Sequence, residues 1–329
     1  MAGWRQVPRA VLQNPRAMRA FDRATSIALR AARPPFRVYE RFGPVRLPVS
    51  REALRRGGIY PIPDHYYWPL FNEALLTRPL SDVRNLPGID LRHDEQVALL
   101  DELVFADELV PLQLDRAPAS ALDPYIGPLS NFDSGDAEFL YQMIRRFKPR
   151  RVVEIGSGDS TKIAQLALRR NAEETGEVAD HVCVEPYEMP WLEQSGVRVI
   201  RAKVEDVGLE LFAELGRDDL LFIDSSHMIR PQGDVLFEYL EVLPSLASGV
   251  LVHVHDIFTP RDYLQQWIHE SVRMWNEQYL LEALLSNSDR YEVVAALNYL
   301  HHDDYARLAA VCPYLTQDRE PASFYLRVR

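Results

Sequence analysis

From residue 126 onward, short apolar runs alternate with longer amphipathic ones, and this alternation constrains the fold more than any other feature. Strands joined through helices form a parallel sheet that must be covered on both faces. The apolar runs predict strands over 151–155, 181–184, 197–202, 220–223, 250–254, 291–296 and 324–328. The amphipathic runs predict helices over 136–147, 160–170, 235–243, 262–285 and 303–311. The expected fold class is α/β, a doubly wound, seven-stranded and mostly parallel sheet occupying 126–329.

Ahead of that domain, residues 1–125 read as a helical and irregular region placed to cap it. Asp123-Pro124 and Gly127-Pro128 mark the boundary. Residues 8–32 predict a loose amphipathic helix that Pro15 interrupts and that Pro34 and Pro35 stop. A proline-punctuated aromatic stretch follows, in which His65, Tyr66 and Tyr67 suit either the lining of a pocket for a sugar or polycyclic small-molecule acceptor or a segment packing the N-terminal region on the sheet.

Charge narrows the partners. Net charge is −11, yet residues 1–56 hold 13 arginines against Asp22, Glu40 and Glu52, a balance of +10. The remainder carries −21, which argues against nucleic acid as a partner of the domain. The basic arm has the charge to contact an anionic surface, or to fold back on the acidic body. No apolar run approaches the ~20 residues of a membrane span, and the first residues lack a secretory apolar core. The two cysteines, Cys183 and Cys312, form no C-x-x-C pair, so a cytoplasmic protein without disulfides is expected.

The strongest motif is Glu154-Ile155-Gly156-Ser157-Gly158-Asp159-Ser160, set where a strand turns into a helix. Gly156 and Gly158 allow a tight turn and close approach to a ligand. A dinucleotide fingerprint would carry a third glycine where this chain has Thr161. Glu154 ahead of the turn suits a ligand bearing an ammonium group better than a pyrophosphate. Glu185 ends the second strand, where a carboxylate can accept hydrogen bonds from a ribose diol. Glu205 follows the third strand, within range of an adenine amino group. Lys148, Lys162 and Lys203 form no Tyr-x-x-x-Lys pair, which disfavours an NAD-dependent oxidoreductase.

Together, Glu154-x-Gly156-x-Gly158, Glu185 and the strand order resemble the class I, Rossmann-like S-adenosylmethionine-dependent methyltransferases over about 200 residues. The resemblance implies S-adenosylmethionine as cofactor, its methionine part on Glu154, Gly156, Gly158 and Ser160. It implies the ribose on Glu185, with Glu205 and Asp224 completing the cofactor site.

The fourth predicted strand ends in Asp224-Ser225-Ser226-His227 and the fifth in His253-Val254-His255-Asp256. Neighbouring strands would bring Asp224, His227, His255 and Asp256 together at the reactive end of the cofactor. Two carboxylates with up to two imidazoles suit a hard-to-borderline divalent metal such as Mg, Mn, Fe or Zn. Asp224 and His227 are the expected catalytic residues, with His227 as the base. His253 is expected in the core. This pattern is similar to a subgroup containing macrocin-type sugar O-methyltransferases and the cephalosporin C7-methoxylation protein. That resemblance implies Asp224, His255 and Asp256 as metal ligands and O-methylation of a sugar or other hydroxylated natural product; His255 stands where an acidic residue is usual, which favours Mn, Fe or Zn over Mg, or no metal at all. N-methyl transfer, or a cofactor-binding but non-catalytic partner of an oxygenase, are the competing readings. Trp275, Asn276, Tyr279 and Leu280 read as one face of a helix, in the core or in a homo-oligomer interface.

Overall fold

The structure, a computed structural model, describes residues 15–59, 71, 75–127, 130–187, 189–271, 273–286 and 288–329, the side chains of 44 and 45 excepted. Backbone contacts divide the chain into two compact units, Met1–Leu76 and Thr77–Arg329. The boundary at 125/126 marks where strand–helix alternation begins, whereas compactness divides the chain earlier. His65, Tyr66 and Tyr67 lie outside the described residues.

In the first unit, α1 (Pro15–Arg46) opens on a proline and is broken only at Gly43, whose φ is 74°. A proline at the first helical position loses no bond the helix would have made. Contrary to expectation, Pro34 and Pro35 do not stop α1. Their fixed φ is itself helical, and the cost is confined to the bonds lost behind them. A second helix, α2 (Pro48–Arg56), follows.

The second unit begins with α3 (His93–Glu102) and α4 (Asp136–Phe147), then alternates as the sequence predicts. Its elements are β1 (Arg151–Ile155), α5 (Asp159–Thr175), β2 (Asp180–Val184), β3 (Arg198–Ile200), β4 (Leu220–Ile223) and β5 (Leu251–Val254). After these come α6 (Glu277–Ser286), β6 (Tyr291–Ala296), α7 (Leu297–Asp303), α8 (Tyr305–Val311) and β7 (Phe324–Val328). The seven strands run in the order β3-β2-β1-β4-β5-β7-β6. β1 to β5 are mutually parallel, and β7 lies antiparallel between β5 and β6. The order reverses beside β1, so the crevice beyond β1 and β4 is the topological switch point where such sheets bind ligands.

Helix α4 shows how local sequence sets these elements. Phe139, Leu140, Met143 and Ile144 recur at helical spacing and are buried against the sheet. Gly135 N–H donates to Glu138 Oε2 at 2.7 Å, capping the first turn. Lys148 takes a left-handed φ of 48° ahead of Pro149, which ends the helix. Ile163, Phe222 and Tyr325 belong to the same apolar layer, whereas Val153, Leu221, Tyr239 and Val252 form the layer on the other face. Each such side chain contributes roughly 1.5–3 kcal/mol by leaving water.

The expected helix over 262–285 is not continuous. It survives as a short helix at Gln265–His269 and as α6. Asn276 N–H and Glu277 N–H both donate to the carbonyl of His227, at 3.1 and 3.2 Å. This long-range capture replaces bonds to carbonyls four residues back, so Trp275 and Asn276 precede the helix rather than sharing a face with Tyr279 and Leu280. The helix expected at 303–311 is α8, and a further helix not expected from the sequence, α7, precedes it.

Candidate active site

A cleft of about 330 Å³ opens beyond the carboxyl ends of β1, β2 and β4. Gly156, Ser157, Glu185, Glu205 and Asp224 are among its lining residues. Gly156 sits at φ 77°, and a Cβ there would lie 1.9 Å from the carbonyl oxygen of Asp224. Both geometry and space therefore demand glycine. At Gly158 a Cβ would meet only the end of Met189, at 3.8 Å, which leaves the loop open to a ligand. Ser160 is buried in the first turn of α5. Ser157 Oγ is buried without a hydrogen-bond partner.

Glu185 is fixed at the cleft wall, its two oxygens accepting from Tyr187 N–H at 2.9 Å and Ser157 N–H at 3.3 Å. Glu205 follows β3 in a single turn, Val204–Asp206. Glu154 is placed differently. Thr161 Oγ1 donates to Glu154 Oε2 at 2.6 Å, and His181 Nε2 lies 2.9 Å from Oε1. Thr161 Oγ1 in turn accepts from Gly158 N–H at 3.2 Å. Glu154 thus acts on the glycine loop through Thr161, the residue that replaces the third glycine.

Beside this cleft lie the four residues expected from the ends of β4 and β5. Register places Ile223 opposite Val254, so Asp224 and His255 follow side by side. His227 Nε2 is 3.2 Å from Asp224 Oδ1 and 3.4 Å from Asp256 Oδ2. His255 Nδ1 is 3.5 Å from both Asp224 Oδ1 and Asp256 Oδ1, and has no hydrogen-bond partner. Ligand atoms of Asp224, His227 and Asp256 all lie within 4.8 Å of one another. His227 and Asp256 hold left-handed φ values of 57° and 60°. Such backbone costs of order 1–3 kcal/mol each and persists where surrounding structure fixes it, commonly at functional sites.

Two carboxylates missing from the sequence reading complete the cluster. Glu277, fully buried at the start of α6, places Oε2 2.8 Å from His227 Nδ1. Asp136, at the start of α4, places Oδ2 3.5 Å from His255 Nε2 and accepts from Ala322 and Ser323 N–H. Trp275 packs on His227 with ring centroids 4.3 Å apart, and Asn276 Oδ1 accepts from Ile229 N–H.

The electrostatics follow from this crowding. Burial pushes His227 down, but its bonds to Asp224 and Glu277 and the field of Asp256 outweigh it, holding the imidazole well above its ordinary pKa. For His255 burial is likewise overcome, by Asp256, Asp224 and Asp136. Burial opposes ionisation of Asp224, yet His255 and His227 hold it well below the usual carboxylate range. His253 stands apart. It is fully buried, stacks on Tyr325 at 4.2 Å and has neither ring nitrogen bonded. Burial, then His255, holds its pKa well below the ordinary value, so it is a neutral core residue.

Residues 153–257 match the profile of a methyltransferase-domain family. An uncharacterized protein of Archaeoglobus fulgidus is 29% identical over 180 residues, covering 51% of this chain and 77% of that one. Among solved structures, CmcI with Mg and SAM is 13% identical, with a TM-score of 0.34 over 60% of this chain and 72% of that chain. The CmcI apo-structure is 13% identical, with a TM-score of 0.36 over 68% and 84%.

Proposed function

We propose that this S-adenosylmethionine-dependent methyltransferase methylates a hydroxyl of a small molecule, with a divalent cation at Asp224 and Asp256 assisting. The observation that carries the reading is the convergence of two carboxylates and two imidazoles beside the cofactor cleft. The donor set fits a hard-to-borderline ion, and the unpartnered Nδ1 of His255 faces both carboxylates. Asp224, Asp256 and His255 would hold the ion, which would lower the pKa of an acceptor hydroxyl and orient it. The cofactor supplies an electrophilic methyl group on a sulfonium whose thioether leaves neutral.

What remains for the chain is alignment, proton removal and exclusion of water. Glu185 and Glu205 suit the ribose and adenine ends, and the Gly156–Gly158 loop the methionine end. As the acceptor oxygen takes the methyl group and the carbon–sulfur bond breaks, the hydroxyl proton passes to Nε2 of His227. Glu277 holds the opposite nitrogen as a donor, which fixes the tautomer that leaves Nε2 free to accept. Without a cation, Nε2 faces two carboxylates and keeps its proton; with Asp224 and Asp256 holding an ion, that counter-charge would be taken up and the imidazole of His227 would be neutral. Trp275 offers an apolar wall beside His227 for the acceptor.

A second reading has His227 as the imidazole ligand in place of His255. Its distances to the two carboxylates, 3.2 and 3.4 Å, are the shorter ones. The functional test is transfer of label from methyl-labelled S-adenosylmethionine to panels of sugars, phenols and amines, with and without chelator. Chelator-sensitive labelling of hydroxylated acceptors is expected. Labelling confined to amines would contradict the reading.

A further inference from the structure

Helix α1 carries a feature that methyl transfer does not use. At the α-helical spacing, Arg19, Arg23, Arg30, Arg33, Arg37 and Arg41 fall within a sector of about 80°. Among the described residues none of the six pairs with a carboxylate, and the acidic residues of α1, Asp22 and Glu40, lie just beyond one edge of that sector, by about 20°. Arg19–Arg23, Arg33–Arg37 and Arg37–Arg41 are four apart, so like charges repel along one face. Such a stripe calls for an anionic counterpart outside the helix.

The opposite face is largely apolar and, apart from the buried Tyr39, open. Phe21, Ala24, Ala28 and Phe42 centre it, and Ile27 and Leu29 flank it. Phe21 is 54% exposed, Ile27 68% and Leu29 61%. Polyphosphate ligands such as nucleic acids would engage only the arginines and leave this face in water. A lipid surface engages both: apolar side chains enter the acyl boundary while arginines meet the headgroups. No helix among the described residues is long and apolar enough to cross a membrane, so contact would be in the plane of the surface.

We propose that α1 is a membrane-surface helix that docks the protein on anionic lipid through its arginine stripe and its exposed phenylalanine face. The test uses the full chain with vesicles of phosphatidylcholine alone and of phosphatidylcholine mixed with phosphatidylglycerol, read by co-sedimentation. Binding is expected only to the mixed vesicles, and should weaken as salt is raised. An R30E/R37E variant should lose about tenfold or more in affinity. F21S/F42S should also lose binding, and both variants should keep wild-type affinity for S-adenosylmethionine, showing that they fold. A Phe21→Trp variant should show blue-shifted emission on mixed vesicles. Failure of the wild-type chain to bind mixed vesicles would overturn the proposal. So would binding that F21S/F42S leaves unchanged and that duplex nucleic acid competes away, which would assign the stripe to polyanions instead.

Discussion

Glu277 and His227 are 50 residues apart in sequence and 2.8 Å apart in space, carboxylate Oε2 to imidazole Nδ1. The pair is made twice over, because the backbone N–H of Glu277 also donates to the carbonyl of His227. Side chain and main chain together fix which nitrogen of His227 faces Asp224 and Asp256. A buried carboxylate that orients a working imidazole recurs in metal sites and in proton-transfer sites alike.

Glu277→Gln keeps the size of that side chain and removes its charge. Turnover, or cation affinity if His227 is a ligand, should fall about 10–100-fold, while S-adenosylmethionine affinity stays unchanged. Calorimetry with the cofactor beside a labelled-methyl transfer assay checks both halves. Equal loss of cofactor binding would mean that Glu277 only supports the fold.

For the cofactor end, Glu185→Ala should weaken S-adenosylmethionine binding by roughly 1–3 kcal/mol, the usual cost of removing one partner of a buried polar contact. Gly156→Ala should do more, since its Cβ would lie 1.9 Å from the carbonyl of Asp224 and the loop could not keep its φ. Binding calorimetry with thermal melts reads both changes. Wild-type affinity in Glu185→Ala would remove Glu185 from the ribose.

These contrasts show what the sequence could convey. The strands and α4 were legible because an apolar run of the right length, bounded by turn residues, has few other uses in water. Asp224, His227, His255 and Asp256 were legible because consecutive parallel strands put their ends together. Glu277 and Asp136 were not, since no fixed spacing ties either to its histidine. The segment around Trp275 misled for a related reason: its pattern reads as helix, and only the carbonyl of His227 draws it out. Glu154 was seen, but its route to the loop through Thr161 depends on side-chain directions that a one-dimensional pattern does not carry.

The two histidines can be separated by metal content. On the main reading His255→Ala loses most of the cation and His227→Ala retains it, losing about 10²–10⁴-fold in rate as a general base does. If His227→Ala is the variant that loses the ion, His227 is the ligand. Elemental analysis of protein purified without chelator distinguishes the two.

Cation affinity should also rise with pH. Without an ion, carboxylates on both sides hold a proton on His227, whose pKa stands well above its ordinary value. The ion must displace that proton, so binding is weakest at low pH and gains up to about tenfold per pH unit until the folded-state pKa is passed. A pH-independent affinity, measured by competition with a chelator, would show that no proton leaves.

The most direct measurement is titration of chelator-treated protein with Mn²⁺, followed by calorimetry, in the wild-type chain and in Asp256→Asn. One ion per chain is predicted for the wild type. Asp256→Asn should abolish that binding while its affinity for S-adenosylmethionine remains that of the wild type. Absence of Mn²⁺ binding to the wild type, or binding that Asp256→Asn leaves intact, would contradict a cation-assisted transfer at this site.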